Sequence, residues 1–73
     1  MADFNFEVVE DLGVIGQRGS RELHLAVVSW NDRKPKLELR TWDEEMTTPG
    51  KGVTLSEDEA ELLMNMLKDK FEG

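Results

Sequence analysis

Trp30, Lys36, Arg40 and Trp42 are the residues of this chain best suited to hold a ligand. Lys36, Arg40 and Trp42 are separated by even numbers of residues, so an extended strand over 36–42 places them on one face. Glu38 shares that face, and Leu37, Leu39 and Thr41 take the other. In the preceding apolar segment, Leu23, Leu25 and Val27 alternate with His24, Ala26, Val28 and Trp30. If the leucine faces meet a helix, both tryptophans lie opposite it, with Lys36 and Arg40. A face that is part aromatic and part basic suits single-stranded nucleic acid. Bases stack on aromatic rings at about 1–3 kcal/mol each, and phosphates pair with Lys and Arg. Duplex DNA hides its base faces and would leave such rings nothing to hold. The competing arrangement is a bent sheet that curls over and buries the tryptophans as a second core.

Other chemistry finds little support. Nucleophilic catalysis needs a nucleophile beside a base. Cysteine is absent, and His24 has no partner at sequence level. Asp43, Glu44 and Glu45 form a loop charge run of the kind that is usually solvated. Gly50-Lys51-Gly52 lacks the spacing of a phosphate loop and has no Ser or Thr after the lysine. One histidine and no cysteine cannot build a histidine or thiolate metal site, so no metal, cofactor or enzymatic activity is expected.

The elements that must position these residues follow from periodicity. Phe4, Phe6 and Val8 alternate with Asn5, Glu7 and Val9, the pattern of a strand that bends at Gly13 and ends near Ile15. Gln17–Ser20 is a turn cluster, Glu22–Trp30 a second strand, and Asn31–Pro35 a second turn. Lys36–Trp42 is the third strand and Asp43–Pro49 a loop. A Gly50-Lys51-Gly52 bend follows, then a short fourth strand over Val53–Leu55. The helix runs from Ser56 to about Phe71. The order predicts an α+β domain, a curved four-stranded antiparallel meander followed by one helix (β-β-β-β-α).

The helix carries its own start signal. Ser56 and Glu59 have the spacing of a capping box. Glu57, Asp58 and Glu59 favour the positive end of the helix dipole, and Lys68 and Lys70 the negative end. Ala60, Leu63, Met64, Leu67 and Phe71 form one apolar stripe, with Leu62 and Met66 beside it. One sheet face covers the first stripe only. Leu62 and Met66 are therefore expected at the interface of a homodimer.

Composition sets the limits. The 73 residues make one domain, 1–73, with a small core. Chains this short bury only about 60% of their unfolded surface and often need a partner chain. The net charge is −7 and the pI about 4.5, unlike most nucleic-acid binders. The charge is unevenly spread. Residues 1–17 hold four acids and no base, whereas residues 18–42 hold Arg18, Arg21, Arg33, Lys34, Lys36 and Arg40 against Glu22, Asp32 and Glu38. A basic middle between acidic ends can still make a local positive surface. No apolar run approaches the ~18 residues of a membrane span, and no leader opens the chain, so a cytoplasmic protein is expected.

The order of Leu39-Arg40-Thr41-Trp42, a polar loop, Lys51-Gly52-Val53-Thr54-Leu55-Ser56 and a helix resembles the Positive Cofactor Four family (transcriptional coactivator p-fifteen), most of all its short bacterial members. The resemblance is firm over 30–67 and looser over 4–29. It implies a domain that binds single-stranded DNA and dimerises through the helix. By position, Arg40 resembles the strand arginine of that family, Trp42 the aromatic after it, Trp30 the aromatic ahead of the preceding turn, and Lys51 the lysine before the bend. Such residues stack on bases or neutralise phosphate in the family. The lysine- and serine-rich tail of the eukaryotic members is missing. The expected nucleic-acid contacts are Arg21, Trp30, Lys34, Lys36, Arg40, Trp42 and Lys51. The expected function is single-stranded DNA binding with little sequence preference, in transcription regulation or DNA maintenance. The alternative is a dimeric protein-interaction module without nucleic-acid binding.

Overall fold

A computed structural model describes residues 5–72. The elements are β1 (Phe6–Arg18), β2 (Arg21–Trp30), β3 (Lys36–Trp42), β4 (Pro49–Leu55) and α1 (Glu57–Glu72). The four strands form one antiparallel sheet in sequence order, β1-β2-β3-β4, and a single C-terminal helix follows. This is the β-β-β-β-α meander the periodicity predicts. Phe4, assigned to the first strand from sequence, lies outside the described residues.

Two boundaries differ from expectation by more than a residue, each for a physical reason. β1 runs on past Ile15 to Arg18 because the turn needs only Gly19 and Ser20. Gly19 takes φ 64°, a left-handed conformation that suits glycine at the first position of a two-residue hairpin turn. β4 begins at Pro49 rather than Val53, so Gly50-Lys51-Gly52 is strand and not a bend. Gly52 pairs with Arg40. A Cβ on Gly52 would collide with the Leu39 carbonyl oxygen and come within 2.6 Å of Arg40 Cβ. The glycine is there for close strand approach.

The core lies on the face that carries the tryptophans. Ala26, Val28 and Trp42 are fully buried, with Phe6, Val8, Trp30 and Met46 packed against them. Curvature makes this possible. In register, Trp42 faces Glu22, eight residues along β2 from Trp30. A flat sheet would hold the two indoles about 26 Å apart along the strand. Yet the Phe6 ring lies 5.4 Å from Trp30 and 5.3 Å from Trp42. β1 helps to curl the sheet, because Val9, Leu12 and Ile15 have no partner in the β1–β2 register. Each marks an irregularity of the kind that bends a strand and increases its twist. The curled sheet, weighed above as the competing arrangement, is the observed one.

The helix is capped as expected. The Ser56 amide donates to Glu59 Oε1 at 2.9 Å, and the Glu59 amide donates to Ser56 Oγ at 3.1 Å. Its packing is not as expected. None of its residues is buried. Of the stripe assigned to the sheet, Ala60 and Leu63 are half-buried, while Met64, Leu67 and Phe71 are exposed. α1 packs mainly on β3 and β4. No helix among the described residues is long and apolar enough to cross a membrane.

Candidate nucleic-acid interface

The candidate site is built by the β2–β3 turn. Asn31 and Asp32 both adopt positive φ, 54° and 62°. Asn and Asp tolerate this conformation better than most residues. The turn closes through the Arg33 amide, which donates to the Trp30 carbonyl at 2.9 Å. Ser29 Oγ donates to the Arg33 carbonyl at 2.6 Å. Asn31 is tied to the start of β1, its amide donating to the Asn5 carbonyl at 2.7 Å and its Oδ1 accepting from the Asn5 amide at 2.9 Å. The turn is therefore fixed at both ends, and Arg33, Lys34 and Lys36 follow from it as exposed cations. None of the three is ion-paired among the described residues.

These cations line a pocket of about 240 Å³ together with Val28, Trp30 and Thr54. Trp30 is half-buried there. Its Nε1 donates to Glu38 Oε1 at 2.8 Å, so the indole is oriented from beneath and offers a ligand only carbon surface. The pocket thus combines one aromatic wall, one aliphatic wall and three cations, with no carboxylate in its lining among the described residues. Of the contacts expected from sequence, Trp30, Lys34 and Lys36 are brought together here.

The other expected contacts fare differently. Trp42 is 0% exposed and packs on Phe6, so no ring face is open to a base. Its assignment as a stacking residue is corrected to a core residue, because the curled sheet closes over it. Arg40 is also corrected. Its Nε donates to Glu38 Oε2 at 2.7 Å, its Nη1 donates to the Gly50 carbonyl at 2.9 Å, and its guanidinium stands 5.0 Å over the Trp30 ring. The charge is spent on a fully buried carboxylate rather than held for phosphate. Arg21 donates through Nη2 to the Thr41 and Thr48 carbonyls, which ties β2 to the β3–β4 loop. Lys51 is exposed on β4 and does not line the Trp30 pocket. Leu62 and Met66 are exposed at 57% and 64%.

Sequence reasoning misses four participants. Arg33 belongs to the basic stretch but not to the expected contacts, although it adjoins Lys34 in the turn. Val28 and Thr54 were not singled out, since only the sheet register brings them beside the tryptophan. From sequence, Glu38 merely shares a strand face with Lys36, Arg40 and Trp42. It is in fact a hub, accepting from Trp30, Arg40 and, at 3.4 Å, Thr54 Oγ1.

Elsewhere on this face His24 is almost fully buried between two carboxylates. Its Nδ1 lies 3.0 Å from Asp11 Oδ1 and its Nε2 lies 3.1 Å from Glu22 Oε1. Burial pushes its pKa down, but the hydrogen bonds and charges of Asp11 and Glu22 outweigh this and hold it above the ordinary value. The ring nitrogens point to different carboxylates, which makes His24 a tie between β1 and β2. No group of acids and histidine that could hold a metal occurs among the described residues.

No family model matches the chain. A protein of Treponema pallidum (strain Nichols), described only as uncharacterized, is 36% identical over 66 residues, which span 89% of this chain and 78% of the Treponema protein. By that identity and coverage, the chain belongs to the same family as this Treponema pallidum protein.

Proposed function

We propose that the protein binds single-stranded DNA with little sequence preference, as a homodimer, through the β2–β3 end of its sheet. The observation that carries this reading is the convergence of Trp30 with Arg33, Lys34 and Lys36 in one pocket that no carboxylate lines among the described residues. An aromatic wall and several cations serve the two parts of a single strand, its base faces and its phosphates. The remaining acidic surface lowers nonspecific affinity for any polyanion, so stacking has to contribute a share that charge alone does not supply. The order of motifs shared with the Positive Cofactor Four family supports the same reading and a cytoplasmic setting in transcription regulation or DNA maintenance. Trp42 and Arg40 act in it as supports beneath the site rather than as contacts.

The homodimer is supported by the uncovered apolar surface. Leu62, Met64, Met66, Leu67 and Phe71 are all exposed on one helix. The leucine face of the sheet is only half-buried. A second copy supplies apolar surface of matching extent for both.

A dimeric protein-interaction module is favoured instead by Val9, Leu12 and Ile15, which are exposed along β1 beside the acids Glu7, Glu10 and Asp11. A salt titration separates the two readings. Phosphate contacts release counterions, so affinity for a labelled (dT)20 should fall linearly on a log–log plot against salt. Absence of any binding to (dT)20 at low salt would leave the protein-interaction reading in its place.

A further inference from the structure

The Trp30 pocket shares a wall with a second concavity. Its neighbour, about 190 Å³, is lined by Lys34, Pro35, Lys36, Leu55, Ser56 and Glu57. Lys34 and Lys36 belong to both. Each volume is below the ~300–1,000 Å³ of a drug-sized ligand site, the scale of a single base rather than of a strand.

The chemistry of the two pockets differs. The first offers carbon surface from Trp30 and Val28 under three cations. The second offers carbon surface from Pro35 and Leu55, and it contains a carboxylate. Glu57 repels phosphate and accepts N–H donors, so this pocket suits an uncharged ring that carries an amine. The start of α1 is no competing anion site, because Glu57, Asp58 and Glu59 occupy its first turn.

We propose that the unit recognised by each protomer is a dinucleotide step. One base lies against Trp30 and Val28, and the linking phosphodiester lies on Lys34 and Lys36. The next base enters the Leu55–Glu57 pocket, which prefers cytosine, adenine or guanine to thymine, because their exocyclic amines donate to Glu57, whereas thymine's one donor, N3–H, lies between two carbonyls that the carboxylate repels. This rests on the single-strand reading and gives it a footprint and a mild base preference. An inorganic anion or a lone nucleotide would need the first pocket only.

The test is titration of the isotopically labelled full chain with dCMP, d(CpC) and d(TpT), followed by amide NMR shifts, alongside (dC)20 binding by fluorescence anisotropy. The expected result is that d(CpC) moves the Trp30 indole N–H and the Leu55, Ser56 and Glu57 amides together. Its affinity should exceed that of dCMP by at least about fivefold, the low end of one stacked base. It should exceed that of d(TpT) by about two- to tenfold, the range of one hydrogen bond. Glu57→Gln should narrow the d(CpC) to d(TpT) difference, since an amide can also donate to thymine. If (dC)20 binds but d(CpC) moves only one pocket, or binds no better than dCMP, the dinucleotide unit is wrong and the single-strand reading survives. If d(CpC) behaves as expected and (dC)20 does not bind, the pockets are real and the single-strand reading fails. If nothing binds, both fail.

Discussion

The Trp30 indole N–H donates to Glu38 Oε1 at 2.8 Å, and this bond helps to set the aromatic wall of the pocket, together with the Phe6 ring at 5.4 Å and the Arg40 guanidinium at 5.0 Å. Glu38 is 0% exposed and also receives Arg40 Nε at 2.7 Å. Its removal takes an acceptor from the half-buried Arg40 guanidinium, which keeps only the Gly50 carbonyl of those named above, and from the half-buried Trp30 indole N–H. Loss of one partner of a buried ion pair costs about 3–5 kcal/mol, less here because Arg40 is partly exposed. Glu38→Ala should therefore lower the urea midpoint sharply and shift the Trp30 fluorescence. Glu38→Gln keeps an acceptor for Trp30 and should lose less. Equal midpoints for the parent and Glu38→Ala would contradict the hub role.

The two tryptophans should part company under mutation. Trp42→Ala removes a fully buried side chain and should destabilise the fold by about 3–5 kcal/mol. Trp30→Ala should cost about 1–3 kcal/mol in single-strand affinity and leave the salt slope nearly unchanged. Lys34→Gln should instead reduce that slope by about one unit. Anisotropy titrations at several salt concentrations, paired with urea melts, read both quantities. A Trp42→Ala protein as stable as the parent would undo the assignment of Trp42 to the core.

Why only Trp30 of the two tryptophans stays at the candidate site is a matter of curvature. Period-2 alternation places Trp30, Lys36, Arg40 and Trp42 on one face, and it does so correctly. Alternation carries no information on how far that face curls. The curl comes from three irregularities at Val9, Leu12 and Ile15 and from Phe6 reaching both indoles. Those are long-range packing outcomes. The capping box and the strand order were legible because they depend on local hydrogen bonding and short links. The extension of β4 through Gly50 and Gly52 was not, since glycine reads as a bend unless the neighbouring strand is known to approach closely. Arg33 was hidden for a similar reason, as only the paired positive-φ residues Asn31 and Asp32 aim the chain back over the pocket.

Gly52→Ala tests that close approach. The added methyl would meet the Leu39 carbonyl and Arg40 Cβ, which are strand backbone and its first side-chain atom. Overpacking of this kind costs about 1–3 kcal/mol. Thermal melting should show the loss, and an unchanged midpoint would mean that β3 and β4 separate freely there.

His24 makes a signed prediction for pH. Its folded pKa is raised above the unfolded value of about 6.5. The stabilisation is therefore fully present below about 6.5 and is lost as pH rises through the folded value. Protonated imidazole donates to both Asp11 and Glu22, whereas the neutral ring has one N–H for two carboxylates. Arg40, opposite His24 in the β2–β3 register, is the basic neighbour that faces it from the third strand. Urea midpoints measured across this range should fall with rising pH, and His24→Phe should flatten that segment of the profile. A midpoint that rises over the same range in the parent alone would reverse the sign.

Assembly has a direct test in the exposed helix. Met66 is 64% and Phe71 79% exposed in the single chain. Met66→Glu places a charge in an apolar contact and should dissociate or destabilise the dimer. Sedimentation of the parent at micromolar concentration should give a dimer and the variant a larger monomer fraction. A parent that sediments only as monomer rules the dimer out.

The measurement closest to the central claim is competition between labelled single-stranded (dT)20 and unlabelled duplex of the same length, read by fluorescence anisotropy at low salt. The expected result is that the single strand binds much more tightly, that duplex competes weakly, and that Lys34→Gln and Trp30→Ala each weaken the single-strand complex. Equal competition by duplex, or parent-like binding by both variants, would contradict single-strand recognition by the Trp30 pocket.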